Sequence, residues 1–364
     1  MAHKAASLFS GAGGLDLGAE AAGFEVVLRT DSDPACCETL RANGRDAIMS
    51  DVRDIRSLPT GLDLVFGGPP CQSFSSAGAM GGLSDPRGQL VFEFARLVAG
   101  ARPRTFLMEN VRGLATARSP DGEPGGVLGS LVSAMEDEGY ACRVSILNAA
   151  DFGCPQRRVR LFLTGSLAGA PPAEPRPTAG KGGLPAPWAT LGRFLAERGD
   201  RDESGWARPS PAVAGALEGV PEGSGLKSPG KRETTRPGGH WGYKQGAFIA
   251  DTSLPARTVT ASATTDLVRL PDGSLRRLTL GEVAGLQGLP PGWRLRGTAA
   301  QRFRMVGNAV PVPLAAAVAR SVASRLDAWD ASEPPESAPL PDCVVKAIKR
   351  TKWEQRRNGE SRGA

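Results

Sequence analysis

The chain has 364 residues, enough to bury one full hydrophobic core and a second, smaller one. Its 44 Lys and Arg against 38 Asp and Glu give a formal charge of +6 and a pI near 9.2, which suits a polyanionic partner without requiring one. Six cysteines without a Cys-x-x-Cys pair fit neither a disulfide framework nor a zinc site, so a reduced intracellular compartment and no metal are expected. Met1 to Lys4 is too short for a signal peptide, and the most apolar helical stretch, Val312 to Val322, is far short of a membrane span and carries Arg320. A soluble cytoplasmic protein with no membrane partner follows as the expectation.

In chain order, strand-like runs at Ala5 to Phe9, Glu25 to Arg29, Asp63 to Phe66, Thr105 to Met108, Arg143 to Asn148 and Arg160 to Thr164 alternate with helical ones at Asp16 to Ala22, Ala35 to Asn43, Leu90 to Ala99 and Val127 to Glu138. That rhythm predicts an α/β fold, a Rossmann-like, mostly parallel sheet with flanking helices. Gly11-Ala-Gly13-Gly14 follows the first strand and opens a helix, where glycines let a nucleotide-like ligand approach the backbone. A dinucleotide fingerprint would place a third glycine at position 16, which is Asp16, so a pyrophosphate cofactor is disfavoured. Asp31 ends the second strand, where a carboxylate can accept hydrogen bonds from both ribose hydroxyls. A ligand with a ribose and no phosphate, such as S-adenosylmethionine, fits this pair of features.

The run Asp63 to Phe66 is a short apolar strand stopped by Gly67-Gly68, and Pro69-Pro70 holds the chain extended so that Cys71 emerges at the strand's carboxyl edge. That edge is where ligands sit in open α/β sheets, and a thiol placed there is a candidate nucleophile. Glu109, following its own strand, falls at the same edge. After Gly165 the composition changes: Ala168 to Pro187 and Asp200 to His240 are rich in Pro, Gly and charge with little periodicity and read as an insert of loops. Order resumes at Phe248 to Ala261 and at Leu278 to Gly288, where Thr279 and Glu282 have the spacing of a capping box. An amphipathic helix is predicted over Val312 to Leu326, a linker over Ala331 to Asp342, and a solvated basic tail from Cys343 onward, with auxiliary phosphate contact as its alternative role.

Five of these segments, in this order and spacing, resemble the motif set of the DNA (cytosine-5)-methyltransferases of the prokaryotic, restriction-modification type. They are Phe9-Ser-Gly11-Ala-Gly13-Gly14, Pro69-Pro70-Cys71-Gln72, Glu109-Asn110-Val111, Gln156-Arg157-Arg158-Val159-Arg160 and Gly307-Asn308-Ala309-Val310-Pro311. The resemblance spans about residues 5 to 166 and 255 to 326. It implies a class I S-adenosylmethionine-dependent methyltransferase with a smaller target-recognition domain. The expected division is 1–166 for catalysis and cofactor binding, 167–299 for target recognition, 300–328 returning to the first domain, and 329–364 as linker and tail.

By the same resemblance Cys71 adds to carbon 6 of a flipped-out cytosine, a neutral Glu109 relieves charge at ring nitrogen 3, Arg160 bonds the cytosine O2, and Arg158 orients Glu109 or grips a phosphate. Asp51 would reach the adenine amino group, with Phe9 and Val52 as apolar contacts, and Asn308 and Val310 would close the pocket. Gly11, Gly13, Gly14, Leu15, Asp31, Ser32, Pro70 and Leu90 complete the expected cofactor set, although Asp31 replaces a frequent Glu and Ser32 a bulkier side chain. Gln72, Ser73, Ser75, Arg87 and Arg157 are the expected DNA contacts. Double-stranded DNA is the implied substrate, a cognate restriction endonuclease the implied partner, and a monomer the implied state. Competing readings are a tRNA-cytosine methyltransferase, whose usual Cys-Phe-Thr element is missing here, an enzyme acting on free cytidine nucleotides, and a catalytically dead DNA-binding relative.

Overall fold

The computed structural model describes residues 2–70, 89–180, 184–200, 202, 205–227, 229–230, 246–262 and 264–360, with side chains through Gln355 in the last helix. Seven strands form the main sheet: β1 (Lys4–Leu8), β2 (Glu25–Asp31), β3 (Ile48–Met49), β4 (Leu64–Gly67), β5 (Thr105–Val111), β6 (Ala141–Asn148) and β7 (Val159–Ser166). Their order is β3-β2-β1-β4-β5-β7-β6. β1 to β5 are mutually parallel, whereas β7 runs antiparallel to both β5 and β6. The exception has a simple cause. Only a 3-10 turn, Ala149–Phe152, and a short loop separate β6 from β7, and a parallel crossover needs a dozen or more residues.

The central strands β1, β4 and β5 are buried on both faces, so they read as continuous apolar runs. Side-chain alternation sends Ala6, Leu8, Val65, Phe106 and Met108 to one face, under α3 (Leu90–Ala101) and α4 (Gly126–Asp137). Ala5, Leu64, Phe66 and Leu107 face the other way, toward α1 (Gly14–Ala21) and α9 (Val312–Asp327). These two helices pack closely because Gly18 has no side chain; a Cβ there would lie 2.4 Å from that of Ala315. Helix α2 (Pro34–Ala42) is capped by Asp33, whose carboxylate accepts from Ala35 N at 2.9 Å.

The segment read as an insert of loops contains more order than its composition suggests. Helices α5 (Leu191–Arg198) and α6 (Pro211–Ala216) precede a small sheet of order β11-β10-β9-β8, formed by β8 (Ser224–Gly225), β9 (Phe248–Ile249), β10 (Leu267–Arg269) and β11 (Leu275–Arg277). Leu217, Val220, Ile249, Leu267 and Leu275 make its core. These strands have two or three residues each, too few to show periodicity. Helix α7 (Leu280–Leu286) starts with the anticipated capping box, Glu282 N donating to Thr279 Oγ1 and Thr279 N to Glu282 Oε2. Helix α8 (Ala299–Asn308) starts with a second box, Thr298 and Gln301. Among the described residues no single helix is long and apolar enough to cross a membrane; α8 and α9 pass such a test only together, across a 41° bend.

The carboxyl-terminal segment departs from expectation. The linker is tied to the sheet by bonds from Ala338 N to Cys142 O and from Cys142 N to Ser337 Oγ, both 2.9 Å. Beyond it, residues expected to form a solvated tail form helix α10 (Asp342–Glu360). Val344 is buried in the main core and Ile348 packs against it, so the helix is held by an apolar stripe that the basic composition conceals.

Candidate active site

The carboxyl ends of β1, β2, β4 and β5 lie along one edge of the sheet, and with them Phe9, Gly11, Asp31, Pro70 and Glu109. After β1 the backbone turns sharply, with positive φ at Phe9 (56°), Gly11 (56°) and Gly13 (84°) before α1 begins. The turn is coupled to the next strand. Gly11 N donates to Asp31 Oδ2 and Asp33 N to Asp31 Oδ1, both at 2.8 Å. These bonds orient the carboxylate and leave one lone pair on each oxygen for an external donor. Burial raises the Asp31 pKa, and the Asp33 and Gly11 amides oppose that rise.

Gly14 closes the loop against the carboxyl-terminal segment; a Cβ there would fall 2.2 Å from Val310 O. The loop and buried Val310 are therefore neighbours through backbone, and exposed Asn308 lies just before them at the end of α8. Leu15 is buried and Ser32 exposed. Val52 is buried, and Arg96 from α3 holds its segment by donating to Val52 O and Ile55 O at 3.1 Å. Asp51 is engaged by Arg53, whose Nη2 lies 2.6 Å from Oδ2 and whose Nε lies 2.9 Å from Oδ1. That pairing lowers its pKa. Half-buried Leu90 is the first residue of α3.

Glu109 sits inside β5, buried, with Oε1 2.8 Å from Arg160 Nε on the neighbouring β7. Burial raises its pKa despite the opposing charges of Arg160 and Arg158. A carboxyl in this setting favours its neutral, proton-donating form more than a solvated one does. A Cβ on Gly68 would lie 3.1 Å from Glu109 Oε2 and 3.8 Å from Leu15 Cδ1, so Glu109, the chain leading to Pro69-Pro70 and the first turn of α1 converge. Asn110 secures that approach: buried beside Glu109, it donates from Nδ2 to Pro69 O at 3.2 Å. Half-buried Pro70 is the last described residue of the segment. Cys71, Gln72, Ser73, Ser75 and Arg87 lie outside the described residues.

The arginines have partners other than those the resemblance implies. Arg160 approaches Glu109, while Arg158, fully buried, donates from its two terminal nitrogens to Val259 O and Gly307 O at 2.7 Å. Arg158 thus bridges β7, the segment after β9, and α8. Half-buried Arg157 donates from Nε to Pro255 O at 3.2 Å. Buried Gln156 extends the bridge, accepting from Val259 N at 2.8 Å and donating to Gln287 Oε1 at 2.9 Å, and Gln287 donates in turn to Val306 O at 2.7 Å. Gln156 and Asn110 fall within the motifs above, yet the sequence assigns them no role, nor does it single out Gln287 or Arg96. For Gln287 the available signal is a polar residue inside the otherwise apolar run Val283 to Leu289, whereas Gln156 stands between Pro155 and Arg157 with no such contrast.

A family model for C-5 cytosine-specific DNA methylase matches residues 3–181 and 222–324. The chain belongs to the C-5 cytosine-specific DNA methylase family. It is a DNA cytosine-5 methyltransferase with the class I methyltransferase fold. It is 43% identical over 199 residues to Type II methyltransferase M.AquIA of Picosynechococcus, a match covering 50% of this chain and 78% of the relative. With Type II methyltransferase M.PspPI of Psychrobacter it shares 32% identity over 368 residues, covering 90% and 80% respectively. Among solved structures, the Schizosaccharomyces pombe Dnmt2 methyltransferase superposes with a TM-score of 0.64 at 18% identity, covering 89% of this chain and 99% of that one, a likeness of fold.

Proposed function

We propose that this methyltransferase uses S-adenosylmethionine to methylate carbon 5 of a flipped-out cytosine within a specific double-stranded DNA sequence, as the marking half of a restriction-modification system with a cognate endonuclease. The observation that carries the reading is the buried Glu109, with its raised pKa, beside Arg160 at the strand edge toward which Pro69-Pro70 leads. The cofactor fits the residues present. Asp31 has lone pairs for ribose hydroxyls, and the Phe9 to Gly14 turn is open at Gly11, where among the described residues a Cβ would meet only Phe9 O at 3.9 Å. Leu15, Val52, Leu90 and Val310 supply apolar wall. S-adenosylmethionine, when bound, supplies an electrophilic methyl group.

The chain's own residues do the rest. The Cys71 thiolate adds to carbon 6 of the ring, which breaks its aromaticity and makes carbon 5 nucleophilic. Glu109 gives a proton to ring nitrogen 3 as charge enters the ring, and Arg160, already against Glu109, is placed to answer charge at O2. Once carbon 5 is methylated, loss of its proton to a base, expulsion of the Cys71 thiolate and return of the nitrogen 3 proton to Glu109 restore the ring and the enzyme. Residues 167–299 would read the target sequence, since the motifs that carry chemistry stop before them and resume after them.

Duplex DNA in which 5-fluorocytosine replaces the target cytosine tests this directly, because fluorine cannot leave as the proton does. The wild-type protein should be trapped covalently and Cys71→Ser should not. Trapping of Cys71→Ser at the wild-type rate would sink the assignment. Bisulfite sequencing of DNA from cells expressing the protein gives the target site, and grafting residues 167–299 into a related enzyme should carry that site with them.

A further inference from the structure

Helix α10 has a direction and a face. Its approach begins at the amino edge of the sheet, where Ala338 and Ser337 bond Cys142 at the start of β6. It then climbs: Val344 enters the core, Ile348 meets Gly125, Lys352 pairs with Glu123, and Arg118 Nη1 donates to Gln355 Oε1 at 2.6 Å. Residues 112–126 follow β5 and precede α4, so they sit at the carboxyl edge, the edge that carries Glu109. Nineteen residues of helix span about 28 Å, the length of about eight base pairs of duplex.

The opposite face is Lys346, Lys349, Arg350 and Trp353, in the i, i+3, i+4, i+7 register of one stripe. Lys346 and Arg350 are 78% and 79% exposed and Trp353 57%. The pairs Lys346 with Asp342 and Arg350 with Glu354 lie within the helix on open surface and hold these charges only weakly. A solvated tail has no reason to bury Val344 and Ile348; a docked helix fixes a cationic row beside the catalytic edge.

We propose that α10 is a built-in binding surface for the phosphate backbone of the substrate duplex, flanking the target site on the side of β5 and β6. The inference rests on the DNA-methylating reading above. An acidic protein surface is the other occupant such a face could take, and it would leave DNA binding untouched.

The test measures binding of the full-length protein to the site found by bisulfite sequencing, on a duplex barely longer than that site and on one extended by about ten base pairs each way. Combined Lys346→Gln, Lys349→Gln and Arg350→Gln should flatten the slope of log affinity against log salt on the long duplex by about 0.9 per lost contact, hence by between about 2 and 3. The charge-conserving set Lys346→Arg, Lys349→Arg and Arg350→Lys should restore the slope. If the wild-type protein methylates the site and the glutamine variant keeps the full slope on the long duplex, the phosphate-binding role is wrong. If the wild-type protein methylates no cytosine in the duplex, the underlying reading fails instead.

Discussion

Asp16, in the first turn of α1, is fully buried, and Arg29 Nε lies 3.2 Å from its Oδ1. Among the described residues, no well-formed hydrogen bond reaches either carboxylate oxygen. Burial pushes its pKa from the usual 3.8 to about 7, with Arg29 and the Ser7 hydroxyl pulling down and Glu20 pushing up. Between those two values the folded protein holds a proton that the unfolded chain has released, so stability falls as pH rises through the window. At about 1.4 kcal/mol per pH unit the interval amounts to about 4 kcal/mol, an upper bound for what ionisation withdraws by pH 8. Asp16→Asn cannot ionise and keeps nearly the same shape. In urea melts from pH 4 to pH 8, the variant should be no more stable than wild type at the acid end and should gain on it by about 2 to 4 kcal/mol at the alkaline end. Carboxylates elsewhere titrate alike in both proteins and cancel in the difference. Parallel curves would show that Asp16 stays ionised beside Arg29 throughout.

Glu109→Gln should lose several orders of magnitude in turnover while still binding S-adenosylmethionine, because the proton it donates is used only in the transition state. Since the Glu109 pKa is raised and the neutral form is the active one, wild-type turnover should decline as pH rises through that value, and the residual rate of the variant should lack this limb. Asp31→Ala should weaken S-adenosylmethionine binding by about 1.5 to 3 kcal/mol in calorimetry, the loss of charge-assisted bonds to the ribose. Gly307→Ala should lower thermal stability, by about 1 to 3 kcal/mol or more, since its Cβ would fall 2.2 Å from Thr260 O and 2.4 Å from Ala261 N.

The main sheet was legible because its central parallel strands, buried on both faces, announce themselves as apolar runs; β1, β2 and β4 fall within a residue or two of the runs read as strands, and β5 runs three residues further. The direction of β7 was not, because strand polarity depends on what connects the strands and leaves no mark on the strand itself. The small sheet escaped for lack of length. Helix α10 escaped because the two apolar residues it packs into the core, Val344 and Ile348, are interspersed with Lys346, Lys349 and Arg350, and the helix is stabilised by the surface beneath it. At the site, Gly11, Gly14 and Asp31 could be placed by the sterics and donors of a strand-to-helix turn. The partners of Arg158 and Arg160 could not, since alternation along β7 says which face a side chain takes and nothing about which carbonyls of the second segment arrive there.

The bonds between the linker and β6 bear on how the protein behaves in a crowded solution. A parallel sheet ends in two strands with unpaired amides and carbonyls, and such borders recruit other chains into shared ribbons. Here one border, β3, is only two residues long and offers little to pair with. The other, β6, has eight residues, but its opening stretch already has a companion in Ser337 and Ala338, and Arg143 Nε donates to Pro172 O at 3.0 Å alongside. Shortening the chain to end before Ser337 would uncover this border and remove Val344 from the core at once, so such a truncation should self-associate with the stability of its remaining fold only partly reduced.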